Sequence, residues 1–353
     1  MRLNTALALP WVVASALVLS CMTEVVHAQA VTTALERPAV AARQAASAVL
    51  LGAAYSGARR VVVGERGIVV LSDDETHWQQ AKVPVSVTLT AVRFQGAYGM
   101  AVGHSGSVLT SDDAGATWQL RLDGNRVAQL VLQGAQLAAN PAALQAAQQF
   151  VADGPDKPLL DVLMLDAQRA LVVGAYGLAL ATEDGGKSWA SWMPRLSNPK
   201  GLHLNAVRSR GENIVVVGEQ GLMLTSDDAG RHFRPLVAPY AGSFFTLELP
   251  SDGEIVVAGL RGNVWRSTDA GKSWLQLPMP MPVSVTGSTM RSDGSLLLVN
   301  QAGGVLTGRG GVFTPLKTPP LPPLNGVLAG ADGTVLALSM RGVVSLPAVG
   351  ATP

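Results

Sequence analysis

Three features of the sequence predict an all-β fold of seven like units set in a ring. An apolar tetrapeptide recurs as Val61-Val62-Val63-Gly64, Met100-Ala101-Val102-Gly103, Leu171-Val172-Val173-Gly174, Val215-Val216-Val217-Gly218 and Val256-Val257-Ala258-Gly259. Weaker copies follow as Leu297-Leu298-Val299-Asn300 and Leu336-Ala337-Leu338-Ser339. Three residues beyond each copy stands a glycine: Gly67, Gly106, Gly177, Gly221, Gly262, Gly303 and Gly342. Successive copies lie 39, 71, 44, 41, 41 and 39 residues apart, so one insertion interrupts an otherwise steady period. Four-stranded units of that length specify a seven-bladed β-propeller. A helical solenoid would need a 3.6-residue period, which these β-branched runs lack.

The chain opens with Arg2, an apolar run from Ala6 to Leu19, and an Ala28-Gln29-Ala30 ending. That is the layout of a signal peptide over 1–30, cleaved near Ala30, and it predicts a periplasmic or secreted product starting at Val31. The lone cysteine, Cys21, falls in this leader, so neither a disulfide nor thiol chemistry is expected of the mature chain. Val18-Leu19-Ser20-Cys21 is a lipoprotein-like box and the competing reading, although Leu19 is bulky where a small residue is usual. Residues 31–40 precede the first unit, and the seventh unit shows only three strands before Pro353. Pairing of 31–40 with the last blade is therefore expected to close the ring, with Pro38 confining that segment to an edge.

Each tetrapeptide reads as a strand, the two residues between the glycines as a tight hairpin, and the next apolar run as a third strand. Continuous apolar runs suit strands buried on both faces. Six units then open a motif on Ser or Thr, intact as Ser111 to Trp118 and Ser267 to Trp274, with the pattern Ser-x-Asp-x-Gly-x-x-Trp. Thr182 to Trp189 begins with Thr, and Ser226 to Phe233 ends in Phe. Ser72 to Trp78 is one residue short and lacks the glycine; Thr307 to Phe313 lacks the aspartate. The pattern predicts structural turns in which Asp74, Asp113, Asp184, Asp228 and Asp269 accept backbone N–H bonds. Trp118, Trp189 and Trp274 pack on the blade. The oxygen spacing and distal glutamate of a calcium loop are missing, so no metal is expected.

The insertion, about 125–158, carries Val127, Leu130, Val131, Gly134 and Leu137 at helical spacing, then Asn140-Pro141 as a cap and first helical residue. A helical hairpin between blades 2 and 3 follows. It either packs on the propeller or serves as a partner-binding lid, and its ends at one blade boundary predict that it can be removed without harm to the ring.

Asp-box repeats of this form in a seven-unit chain with a leader resemble the photosystem II stability/assembly-factor-like propellers, a branch of the BNR/Asp-box repeat superfamily. The resemblance covers about residues 46–348. It implies a non-catalytic assembly or interaction scaffold without a cofactor. The implied partner is a protein, such as a membrane-embedded complex or transporter. Asp-boxes also occur in sialidases and other glycosidases, which leaves a carbohydrate-active propeller as the alternative, beside a small-ligand sensor at the central channel.

Composition narrows the partner. With 26 basic and 25 acidic residues the net charge is +1, unlike the basic excess of nucleic-acid binders. A monomer is expected. Strand alternation puts the hairpin tips and blade-to-blade connections on one face and the Asp-boxes on the other. The tip face is the expected docking surface, bearing Glu65, Arg66, His104, Tyr176, Glu219, Arg261 and Arg341. Counting back thirteen or fourteen residues from each tetrapeptide gives Thr90, Asp161, Asn205, Thr246, Thr286 and Asn325, with Ser47 in the first unit after allowing a longer loop. These small polar residues form a ring at the channel mouth, either satisfying backbone groups or binding a small ligand. A sialidase-like site wants clustered arginines, a tyrosine with a glutamate, and an acid. Arg66, Arg261, Arg341, Tyr176 and Glu219 share a face but sit on tips, and the histidines have no metal-ligand spacing.

Overall fold

The computed structural model describes residues 33–138 and 140–348. The leader with Cys21, the cleavage point at Ala30, and Val31 lie outside the described residues. Blade 1 runs outward as Leu50–Ser56, Arg59–Gly64, Val69–Ser72 and Gln79–Gln80, each antiparallel to the next. The same order recurs in blades 2 (89–122), 3 (159–191), 4 (204–235), 5 (244–277) and 6 (285–315). Innermost strands of successive blades pack side by side, and that of blade 7 meets that of blade 1. The seven-bladed ring is closed.

Burial explains the tetrapeptides. Val61, Val62 and Val63 are all fully buried. Val61 and Val63 pack against Leu89, Val92 and Ala101 of blade 2, while Val62 packs with Leu336 and Leu338 of blade 7. A strand covered on both faces needs apolar residues at every position, not at alternate ones. The terminal glycine has a different cause. A Cβ on Gly64 would lie 2.1 Å from the Val49 carbonyl oxygen, where the incoming connection crosses the strand end. Gly103 and Gly218 face the same approach from Thr88 and His203.

Blade 7 (324–346) has three strands among the described residues. The segment expected to supply a fourth does not do so. From Thr33 onward it forms no strand and lies along the connection between blades 1 and 2. Ser86 N–H donates to Ala34 O, Ala39 N–H to Val83 O, and Ala42 N–H to Gln80 Oε1. Pro38 and the run of small residues give it no alternating pattern to insert into a sheet. It covers Gly67 and Val85 instead.

The insertion folds as two helices, α1 (Gly124–Leu137) and α2 (Pro141–Ala152). Asp123 caps α1 by accepting from Arg126 N–H, and Asn140 caps α2 by accepting from Ala142 and Ala143 N–H. Val127, Leu130, Val131 and Ala135 are buried in the core cluster shared by blades 2 and 3. Gly134 rests on Ser191, and Gly106 N–H at the blade 2 tip donates to Lys157 O on the return. The expectation of a removable insertion is therefore corrected for α1, which fills the wedge between two blades. Leu137, expected on the packed face, is exposed, since the chain turns there.

Candidate functional site

Each innermost strand begins with a β-bulge. In blade 2 Leu89 pairs with Gly103 and Ala91 with Val102, leaving Thr90 unpaired; Asn205, Thr286 and Asn325 are bulged in the same way. A bulge turns its side chain out of the ladder. All four reach the next blade and also line the central channel. Thr90 Oγ1 donates to Leu159 O at 2.8 Å, Asn205 Nδ2 to Phe244 O at 2.8 Å, Thr286 Oγ1 to Leu324 O at 2.7 Å, and Asn325 Nδ2 to Leu50 O at 3.0 Å. These side chains staple blade to blade, which is the backbone-satisfying alternative.

Three members of the expected ring stand elsewhere. Ser47 lies in the short turn Ala45–Ser47, and the bulge in blade 1 is at Leu51, so no longer loop was needed. In blades 3 and 5 the bulge lies fourteen residues before the end of the tetrapeptide, as in blades 6 and 7, which puts it at Leu160 and Phe245. Asp161 and Thr246 sit one residue deeper. Both still line the channel, a space of about 160 Å3, together with Arg93, Arg208 and Ser288.

Asp161 is the hub of this channel. Its side chain is only 6% exposed. Arg208 Nη1 donates to Oδ2 at 2.5 Å and Arg93 Nη2 to Oδ1 at 3.1 Å, while Val207 and Val162 N–H each donate at 3.0 Å. Burial pushes the Asp161 carboxyl up, but Arg208 and Arg93 beside it outweigh this and hold it below the usual range. Glu248 Oε1 accepts from Ser288 Oγ, whose oxygen also meets Thr246 Oγ1. A carboxylate held by four donors is a poor proton donor, so this cluster ties blades 2, 3 and 4 together and is not built as a general acid. Sequence reasoning missed Arg93, Arg208 and Glu248. The signal was present in Leu89-Thr90-Ala91-Val92-Arg93 and Leu204-Asn205-Ala206-Val207-Arg208, a charge repeated inside an apolar strand.

The hairpin tips are short left-handed turns. Arg66, Tyr176, Gln220 and Arg261 have φ of 53°, 56°, 51° and 57°, which aims each side chain off the face. Arg66, His104, Arg261 and Arg341 are exposed there, and Tyr176 is 53% exposed with its ring centroid 5.1 Å from that of His203. The two glutamates are occupied. Glu65 Oε1 accepts from Val49 N–H, and Glu219 Oε2 accepts both His203 N–H at 2.9 Å and His203 Nδ1 at 2.6 Å. Met281 and Met340 add exposed apolar surface beside the arginines. The opposite face exposes carboxylates, among them Asp112, Glu183, Asp227 and Asp252.

The Asp-boxes have the geometry of turns. Ser111 Oγ accepts from Gly115 N–H and donates to Asp113, whose carboxylate accepts Thr117 N–H and Oγ1; Trp118 Nε1 donates to Gly115 O. Asp184, Asp228 and Asp269 repeat this with Ser188, His232 and Ser273, and Asp74 does so with His77. Trp189 donates to Gly186 O, whereas the buried Trp274 Nε1 has no acceptor. The five carboxyls lie below their usual range, because each accepts hydrogen bonds from its own loop.

Residues 140–274, from α2 to the Asp-box of blade 5, match the family model of the photosynthesis system II assembly factor YCF48. Over that stretch, less than half of its length, the chain is similar to the photosystem II assembly-factor propellers. Solved structures share the propeller fold. YCF48 bound to a D1 peptide superposes with a TM-score of 0.63 at 16% identity, over 86% of this chain and 94% of that one. YCF48 from Cyanidioschyzon merolae gives 0.61 at 14% identity, over 85% and 95%. A Niastella koreensis GH74 enzyme gives 0.58 at 17% identity, over 85% of this chain but 43% of the enzyme. No curated protein sequence matches the chain. At these identities the structural likeness establishes architecture, which enzymes and non-enzymes share.

Proposed function

We propose that this protein is a non-catalytic scaffold of the cell envelope, secreted or periplasmic, that docks a protein partner from a membrane complex on its hairpin-tip face. The observation that carries the reading is the composition of that face. Exposed Tyr176, Met281 and Met340 stand among Arg66, Arg261 and Arg341, while Glu65 and Glu219 are spent on backbone N–H groups. Aromatic and arginine side chains around an apolar patch are the usual anchors of a protein interface. The match to an assembly-factor family, one relative of which is solved with a D1 peptide, supports a polypeptide as the occupant. The leader-like 1–30 supports export. A monomer suits a closed ring without a free inner edge.

The test is crosslinking in intact cells. A photoreactive residue at Arg261 is expected to trap a specific polypeptide, and one at Lys272 on the Asp-box face is expected to trap none. Trapping only from Lys272 refutes the face. N-terminal sequencing of the exported chain is expected to begin at Val31; lipid on Cys21 or an intact Met1 refutes the processing.

A further inference from the structure

The shortened Asp-box of blade 1 departs from the others in a way that its position explains. In the complete boxes the Ser or Thr hydroxyl accepts the N–H of a glycine four residues on, and that glycine abuts its neighbour. A Cβ on Gly115 would lie 3.2 Å from Leu71 and Val61 of blade 1, one on Gly186 3.4 Å from Thr110 of blade 2, and one on Gly271 3.0 Å from Leu236 beyond blade 4. On Gly230 a Cβ would meet Trp192 at 2.5 Å, so a long side chain at these positions would run into the preceding blade. Blade 1 has blade 7 as its predecessor, and blade 7 lacks an outer strand among the described residues. There the place of the glycine is taken by Glu75. Its N–H donates to Ser72 Oγ at 2.8 Å, and it holds φ at 64°, a left-handed conformation that disfavours a side chain.

The side chain uses the space. Glu75 Oε2 accepts from Ser345 Oγ on the third strand of blade 7, and Oε1 accepts from Thr334 Oγ1 in its first turn at 3.3 Å. On the other side Arg60 Nη2 donates to Oε1 at 2.5 Å, and the Arg60 guanidinium lies 5.5 Å from the Tyr55 ring centroid. The Arg60 and Glu75 side chains are 14% and 11% exposed. A bond across 259 or 270 residues of chain joins the two ends of the ring directly. We propose that Glu75 is the latch that closes the propeller: it ties blade 1 to blade 7 in place of a shared strand, and the seam between them is the point at which the ring opens.

Hydrogen exchange with residue resolution tests this on the full chain. Glu75→Ala is expected to speed exchange in 324–346 by roughly tenfold, with blades 3 to 5 unchanged, because a seam opening exposes the terminal blade first. Glu75 also shapes its own turn, so a second variant isolates the latch. Thr334→Val with Ser345→Ala leaves the blade 1 turn intact and is expected to give the same acceleration. Adding Glu75→Ala to that pair is expected to add little, since all three side chains meet at the seam, although Thr334→Val also removes the Oγ1 bond to Asp332 within blade 7. Wild-type exchange of blade 7 in the Thr334→Val, Ser345→Ala variant overturns the proposal. So does a Glu75→Ala response confined to 72–78.

Discussion

Ser111 Oγ has two tasks in its loop, taking the Gly115 N–H and pinning Asp113, and it is only 2% exposed as a residue. Ser111→Ala strands a buried N–H, so thermal or denaturant unfolding is expected to show a loss of about 1–3 kcal/mol. Partner capture below the melting point should persist. Asp161→Ala is expected to cost more, about 3 kcal/mol, because it leaves Arg93 and Arg208 facing each other without their shared carboxylate. Asp184 and Asp269 give the pH dependence. Their carboxyls are held at about 2, against 3.8 for a free aspartate. A depressed native value means that the contribution is full above the free value and disappears as pH falls through the native one. Acid titration should therefore show stability declining between about pH 4 and pH 2, where these carboxylates protonate. Ser273→Ala should narrow that response at Asp269.

At the scale of the element, the two inserted helices differ in what they bury. Leu130 on α1 is 5% exposed and sits in the core of blades 2 and 3, so Leu130→Ala is expected to cost about 2–4 kcal/mol in denaturant unfolding. Leu137→Ala at 88% exposure should change stability by less than about 0.5 kcal/mol. Equal effects would contradict the wedge. The repeat made the strands, tips and Asp-boxes legible, since close packing on both faces enforces the same residue types at each copy. What escaped the sequence were offsets of one residue in blades 3 and 5 and of four in blade 1. Counting allowed thirteen or fourteen residues and favoured the polar side chain, so it assigned Asp161 and Thr246 to the bulge positions that Leu160 and Phe245 occupy. The charges at Arg93 and Arg208 were hidden because alternation in an inner strand reports burial, and a paired charge can be buried. The placement of 33–42 depended on tertiary contacts with Val83 and Ser86 that no local pattern encodes.

For the whole molecule, polarity is the organising feature of a chain whose net charge is only +1. The tips present arginines and exposed apolar side chains, and the Asp-box loops present carboxylates that their own turns keep ionised. A partner approaching this ring meets two faces of unlike charge, and the tip face sets Tyr176, Met281 and Met340 among its arginines. The scaffold reading therefore predicts where binding fails as well as where it succeeds. The most direct test pairs charge reversals on the two faces and measures recovery of the partner from solubilised envelopes, with melting temperature as the control. Arg66→Glu, Arg261→Glu and Arg341→Glu together should keep the melting temperature and reduce recovery by at least roughly tenfold. Lys187→Glu with Lys272→Glu should leave recovery at the wild-type level. Undiminished recovery with the tip variant, or loss with the Asp-box variant alone, would contradict docking on the tip face.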